Sequence, residues 1–440
     1  MFMYDWGIEE GMVYANQRFS KMNVYVKGEK IAALTIDKLP CKKRKDATGK
    51  YVLPGFIDPH VHFALGVGAN VSKDDFYAGS KEAALGGVTT YIDFLDPVKK
   101  AGKIEDAYKE RKEMAKKSIV DYAFHTTIAN PSDGADKIFQ ESLQYGINSV
   151  KLFTTYADTD RRTKDNYIRK LLEASKKCGG VVVIHAENDE LIDHGKEIFV
   201  KDHEKARPAI TENVEVVKLA QMARATKGNL YFVHISAGSS VELLKQNFAE
   251  ELECRQITLE SCPHYILLNS DCLAKEDGYK YTMTPPIRQE QERKLLAKNI
   301  HLISTIGTDH CPYTKEQKLH TYTSEIPMGI GGIRYSFVNL YDTYGFSILD
   351  KFTIGPAKAY GLEEKGEILP GMDADLVIFN AEEKTVIEEE MSVYDKEVRN
   401  GKIETVFSRG SICVEDGICR EHAGRYVSRG ILQKKIHHIR

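Results

Sequence analysis

The chain has 440 residues, 42% apolar and 28% charged, with 61 Lys plus Arg against 64 Asp plus Glu and a net charge of -3. That balance fits a globular protein with one large domain and a smaller one. It excludes a strongly basic nucleic-acid binder and an acidic disordered tail. No apolar run approaches the roughly 18–20 residues that span a bilayer, so no membrane partner is expected.

The start, MFMYDWGIEEG, is acidic and lacks a basic segment followed by an apolar one, so no secretory signal is expected. Strand-like alternation begins at Met22 to Val26 and Lys30 to Leu34, separated by a Gly28-Glu29 turn. The other end looks similar, with Asp375 to Phe379, Thr405 to Phe407 and Ile412 to Val414. The two ends are expected to pair into one small β domain made of residues 1–51 and 365–440.

The middle, 52–364, has another rhythm. Short apolar runs alternate with helical patterns, the sign of βα units and a parallel sheet. The eight runs are Val52–Asp58, Val88–Phe94, Val120–Ile128, Ser149–Thr154, Val181–Ala186, Leu230–Ile235, Gln256–Glu260 and Leu302–Asp309. Amphipathic stretches such as Asp75–Leu85, Tyr167–Lys177 and Glu212–Ala225 lie between them. Eight units predict an α/β fold, a (β/α)8 TIM-like barrel, with the β-sandwich formed by both chain ends beside it. The eight cysteines form no C-x-x-C pair and do not cluster, which predicts reduced thiols in the cytoplasm.

Barrel strands converge at their C-terminal ends, and several runs end on residues that can bind metal. His60 and His62 close the first run as H-x-H, so both imidazoles can face one ion. His185 ends the fifth run, His234 the sixth and Asp309 the eighth. Four imidazoles and a carboxylate at one face predict a metal centre. Lys151 lies inside the apolar run NSVKLF. A buried ammonium without a partner is costly. Its ordinary fates are to reach solvent or to pair with Asp309. The other is carbamylation by CO2, which yields an anion with two oxygens able to bridge two ions.

The segments PGFIDPHVH, SVKLFTTY, VIHAEN, VHISAG, ESCPHY, TPPIR and GTDHCP follow one another across residues 54–313. Together with KGEILPGMDADLVIFN at 365–380 and YDWGIEEGMV at 4–13, they resemble the cyclic amidohydrolases of the dihydropyrimidinase and hydantoinase group. The resemblance implies two divalent ions, zinc by family habit, with manganese, iron and cobalt also suited to such ligands. By it, His60, His62 and Asp309 hold one ion, His185 and His234 the other, and carboxylated Lys151 bridges them. Asp309 is also the proton carrier, and Tyr156 stabilises the oxyanion. Thr284 and Met328 stand where the family holds the substrate ring largely by main chain. The implied reaction is hydrolytic opening of a cyclic amide or imide, such as a dihydropyrimidine or a 5-substituted hydantoin, by a metal-bridging hydroxide. The implied assembly is a homotetramer or homodimer.

Three departures bear on specificity. Met328 replaces the usual asparagine, and His264 in SCPHY is a form commoner in dihydroorotases. Ala64 stands where dihydroorotases carry a carboxylate-gripping arginine, which argues against dihydroorotase and allantoinase, the alternative activities. A non-catalytic scaffold of the same fold would be expected to lack some of the six metal-ligand positions, all of which are filled here.

Overall fold

The computed structural model describes residues 3–432. All eight apolar runs contribute a strand to one parallel sheet. In chain order these are Phe56–Asp58, Val88–Phe94, Asp121–Thr127, Ser149–Phe153, Val181–His185, Leu230–Phe232, Ile257–Ser261 and Thr305–Ile306, called barrel strands 1 to 8 below. Their spatial order follows the sequence. The ring closes just past the strand ends, where His62 N donates to His310 O at 2.9 Å and Asp309 N to His60 O at 2.9 Å.

Helices pack outside the ring as the amphipathic stretches require. Phe76–Leu85 starts at Asp75, whose side chain accepts from the Tyr77 and Ala78 amides. Asp165–Cys178 ends on Gly179 in the left-handed region. Alternate residues from successive strands fill the barrel interior, among them Ile57, Ile92, Ala123, Val181, Val183 and Tyr231.

The first run divides at Gly55. Tyr51–Pro54 pairs antiparallel with Leu376–Val386 in a second, nine-stranded sheet, while Phe56–Asp58 enters the barrel. A Cβ at Gly55 would collide with the Thr89 side chain, so only glycine allows the chain to cross there. The second sheet joins both chain ends and is mostly antiparallel. Ile8, Val13, Val24, Val52, Ile378 and Phe407 are part of its own core.

The chain then returns to the barrel. Tyr122 N donates to Arg425 O at 2.9 Å, Val427 N to Tyr122 O at 2.7 Å and Leu432 N to Gly179 O at 3.0 Å. Residues 424–432 thus line the N-terminal ends of barrel strands 3 to 5, away from the C-terminal face where the candidate site residues gather. The basic end of the tail, Lys434 to Arg440, falls outside the described residues.

Candidate metal centre

The C-terminal face gathers the histidines in two groups. His60 Nε2 lies 3.2 Å from His62 Nε2, and both face one Asp309 oxygen, at 3.1 and 3.0 Å. His185 Nδ1 lies 3.1 Å from His234 Nε2. The groups adjoin, with the His60 and His234 rings 5.4 Å apart between centroids. His185 ends strand 5, whereas His234 and Asp309 sit two and three residues beyond strands 6 and 8. His234 and Asp309 both take the left-handed backbone region (φ 38° and 52°), as does Tyr156 (φ 67°). Such conformations are disfavoured for these residue types and concentrate at functional sites.

Two carboxylates that sequence reasoning missed orient the rings. Glu260 accepts from His60 Nδ1 at 2.8 Å, from His234 N at 3.1 Å and from the Tyr231 hydroxyl at 2.7 Å. Glu187 receives His185 Nε2 at 2.7 Å and the Arg207 guanidinium at 2.6 Å. A carboxylate on one ring nitrogen makes that nitrogen the N–H and turns the other nitrogen's lone pair toward the partner. His60 Nε2 is thereby directed at the Asp309 carboxylate, and His185 Nδ1 at His234 Nε2. A divalent ion between the donors would satisfy both groups at once. Gly307 makes room for this packing, since a Cβ there would lie 2.7 Å from the Glu260 carboxyl carbon and 2.8 Å from His60 Cβ.

Without an ion, a proton fills the space between His60 and Asp309. Burial alone would depress His60, but Asp309 and Glu260 raise it to about 9. Burial alone would raise Asp309, but His60 and His62 hold it well below the usual carboxylate range. Burial, with positive neighbours, keeps His234 and His185 low, although Glu187 supports the charge on His185. The donor set is one trio of two imidazoles and a carboxylate, with a facing imidazole pair beside it. His62 Nδ1 is buried with no hydrogen-bond partner. These residues fit divalent ions.

Lys151 follows neither ordinary fate. It is 2% exposed on strand 4 and forms no ion pair with Asp309 among the described residues. Its Nζ lies 5.4 Å from the Phe94 ring centroid and 5.3 Å from that of Phe153. Burial lowers its pKa to about 8, against the pull of Asp309 and Glu260. Tyr156 stands with its ring 5.4 Å from His185, under the Arg207 guanidinium. Burial pushes its phenol up to about 12, so it keeps its proton. Thr284 is the only residue of 281–288 that is not buried, and Met328 is the half-buried residue between Pro327 and Gly329. His264 lies just past strand 7, buried, with Nε2 unpartnered and its pKa driven by burial down to about 3.

Residues 51–413 match the model of the amidohydrolase family. The chain belongs to that family. A D-hydantoinase of Geobacillus stearothermophilus is 33% identical over 427 residues, covering 87% of this chain and 88% of the relative. A D-hydantoinase from Bacillus sp. AR9 superposes with a TM-score of 0.92 at 28% identity, over 98% of this chain and 100% of the other. A D-hydantoinase (dihydropyrimidinase) from Thermus sp. gives 0.89 at 30% identity, over 97% and 99%. The relatives place this amidohydrolase among the cyclic amidohydrolases of the hydantoinase and dihydropyrimidinase group. Among the described residues, no helix is long and apolar enough to cross a membrane.

Proposed function

We propose that this amidohydrolase opens a cyclic amide or imide by hydrolysis, on rings of the dihydropyrimidine or 5-substituted hydantoin type. The observation that carries the reading is the pair of facing donor groups at the C-terminal face, each locked by a buried carboxylate behind it. His60, His62 and Asp309 would hold one divalent ion and His185 and His234 the other. Lys151, carboxylated by CO2, would serve both. Its depressed pKa leaves a fraction of neutral amine at pH 7, the form that attacks CO2. Four imidazoles with oxygen donors suit zinc, and the same donors accept manganese, iron or cobalt.

When bound, such ions supply an activated water and a Lewis acid for the ring carbonyl. The protein does the rest. Asp309, kept ionised by the histidines, accepts the proton of the attacking water and passes it to the departing ring nitrogen. Tyr156, kept protonated by burial, donates to the developing oxyanion. The main chain at Thr284 and Met328 holds the ring. Ala64 offers neither a cation for a ring carboxylate nor the polar side chain that dihydroorotases and allantoinases carry at this position, which sets both activities behind.

A cytoplasmic location and a homotetramer or homodimer complete the reading. Eight free cysteines support the first and the family resemblance supports the second. The experiment is hydrolysis of dihydrouracil, hydantoin, dihydroorotate and allantoin by metal-loaded protein. Turnover of dihydrouracil or hydantoin alone is expected. Turnover of dihydroorotate in their place overturns the ring assignment, and no turnover without bound metal revives the scaffold.

A further inference from the structure

The two residues assigned to the ring, Thr284 and Met328, lie 44 residues apart and in different loops, so something must fix their separation. One side chain touches both loops. Lys318 Nζ donates to Thr282 O at 2.7 Å and to Gly329 O at 2.6 Å. Gly329 N donates to the same Thr282 O at 3.2 Å. Lys318 is 1% exposed, and no carboxylate pairs with it among the described residues. A buried ammonium satisfied only by main-chain carbonyls is an expensive way to join two loops, and an apolar contact would join them without that cost.

The neighbouring contacts show what the arrangement leaves open. Thr282 O accepts from Lys318, Met283 O accepts from His203 Nε2 at 2.8 Å, and Pro285 O accepts from the Tyr265 hydroxyl at 2.6 Å. Of these four successive carbonyls, Thr284 O alone receives no donor among the described residues. Thr284 is also the one residue of the stretch that is not buried. Lys318 itself is set by its own short helix, where Gln317 donates to Val71 O at 3.1 Å in the loop after strand 1.

The geometry points to Lys318 as a positioning residue that sets the distance between the Thr284 and Met328 main chains, and so the affinity for the ring. This rests on the ring-opening reading above. Burial lowers the Lys318 pKa to about 7, yet a neutral amine keeps two N–H donors for its two carbonyls. The test is therefore a substitution and not a pH series. Lys318→Met fills the space and removes the donors. Lys351→Met is the control, because Lys351 is another deeply placed lysine whose Nζ donates to a carbonyl, Ile303 O at 2.6 Å, before strand 8 at the opposite end of the barrel.

In the holoenzyme, Lys318→Met should raise KM for hydantoin or dihydrouracil roughly 10- to 100-fold, the scale of a misplaced binding group. The kcat should stay within about 3-fold and the metal content should not change. Lys351→Met should lower thermal stability with KM unchanged. Equal KM in Lys318→Met and wild type overturns the inference. So does a loss in Lys318→Met that follows only the folded fraction, as Lys351→Met would show. Wild-type protein that turns over no ring overturns the functional reading, and this inference with it.

Discussion

Among the described residues, two clusters bring three metal-capable side chains within 4.8 Å of one another, and chemically they are opposites. One is His60, His62 and Asp309 at the C-terminal face. The other is Asp121, Asp373 and Asp375 at the N-terminal end, where strand 3 meets the second sheet. In the lower cluster Lys365 Nζ stands 2.9, 3.0 and 2.7 Å from the three carboxylates, and the Arg409 and Arg425 amides add hydrogen bonds at 2.7 and 2.8 Å. The cation that three carboxylates require is built into the chain. In the upper cluster Lys151 forms no ion pair with Asp309 among the described residues, and the imidazole nitrogens face one another and the carboxylate. Proximity of donors is common to both. What separates a ligand-binding cluster from a structural one is whether the sequence itself supplies the compensating charge.

The largest expected effect breaks the upper cluster. Lys151→Ala should lose both ions and reduce turnover by more than about 10³-fold, the several kcal/mol that metal chemistry provides. Short carboxylic acids should partly restore metal and rate together. A fully metallated, fully active Lys151→Ala would sink the carbamate. Next comes Tyr156→Phe, which should keep its metal and lose about 10²- to 10³-fold in kcat, the loss typical of one oxyanion donor. Full activity in that variant would remove Tyr156 from the reaction. The lower cluster should respond in the other currency. Lys365→Met leaves Asp375 buried without a cation, while Lys30 still pairs with Asp373 and Arg409 with Asp121, and should cost about 3–5 kcal/mol of stability. Metal content and kcat of the folded fraction should be untouched. Metal loss in Lys365→Met would mean that the two clusters are coupled and the contrast between them is wrong.

The contrast also explains what the sequence made legible. The eight barrel strands were readable because buried parallel strands are near-continuous apolar runs. The candidate metal ligands were readable because they punctuate the ends of those runs, where His185 and Asp309 break the apolar pattern. Gly55 was not. The run from Val52 to Asp58 is apolar on both sides of it, and no period marks a strand that changes sheets. Glu260 and Glu187 were missed for a different reason. Each is a single carboxylate whose partners, His60 and Arg207, lie 200 and 20 residues away. The one available signal was that a charge at the end of an apolar run must be paired somewhere. Lys318 sits in the polar stretch TKEQKLH, which reads as a solvated turn, and only the folded chain shows it to be buried. Residues 424–432 contain too few apolar positions to announce that they return to the barrel.

The smallest expected effect is a pH dependence that belongs to the lower cluster alone. Three carboxylates raise the Lys365 pKa above its unfolded value of 10.5, against the opposing effect of burial. A group raised in this way stabilises fully below its unfolded pKa and loses that contribution as pH climbs toward the folded value. Buried tyrosines such as Tyr231 and Tyr360 are also raised, so the wild-type protein should weaken above pH 10 for two reasons. Lys365→Met retains the tyrosine part only. The stability gap between the two proteins should therefore be constant through neutral pH and narrow above about pH 10.5, by at most about 1.4 kcal/mol per pH unit for one proton. Denaturant unfolding across pH 8 to 12 would measure it, with and without a chelator. Parallel curves would show that Lys365 does not carry the charge assigned to it. A narrowing that needs bound metal would place its origin at the upper cluster, because the lower one holds its cation covalently.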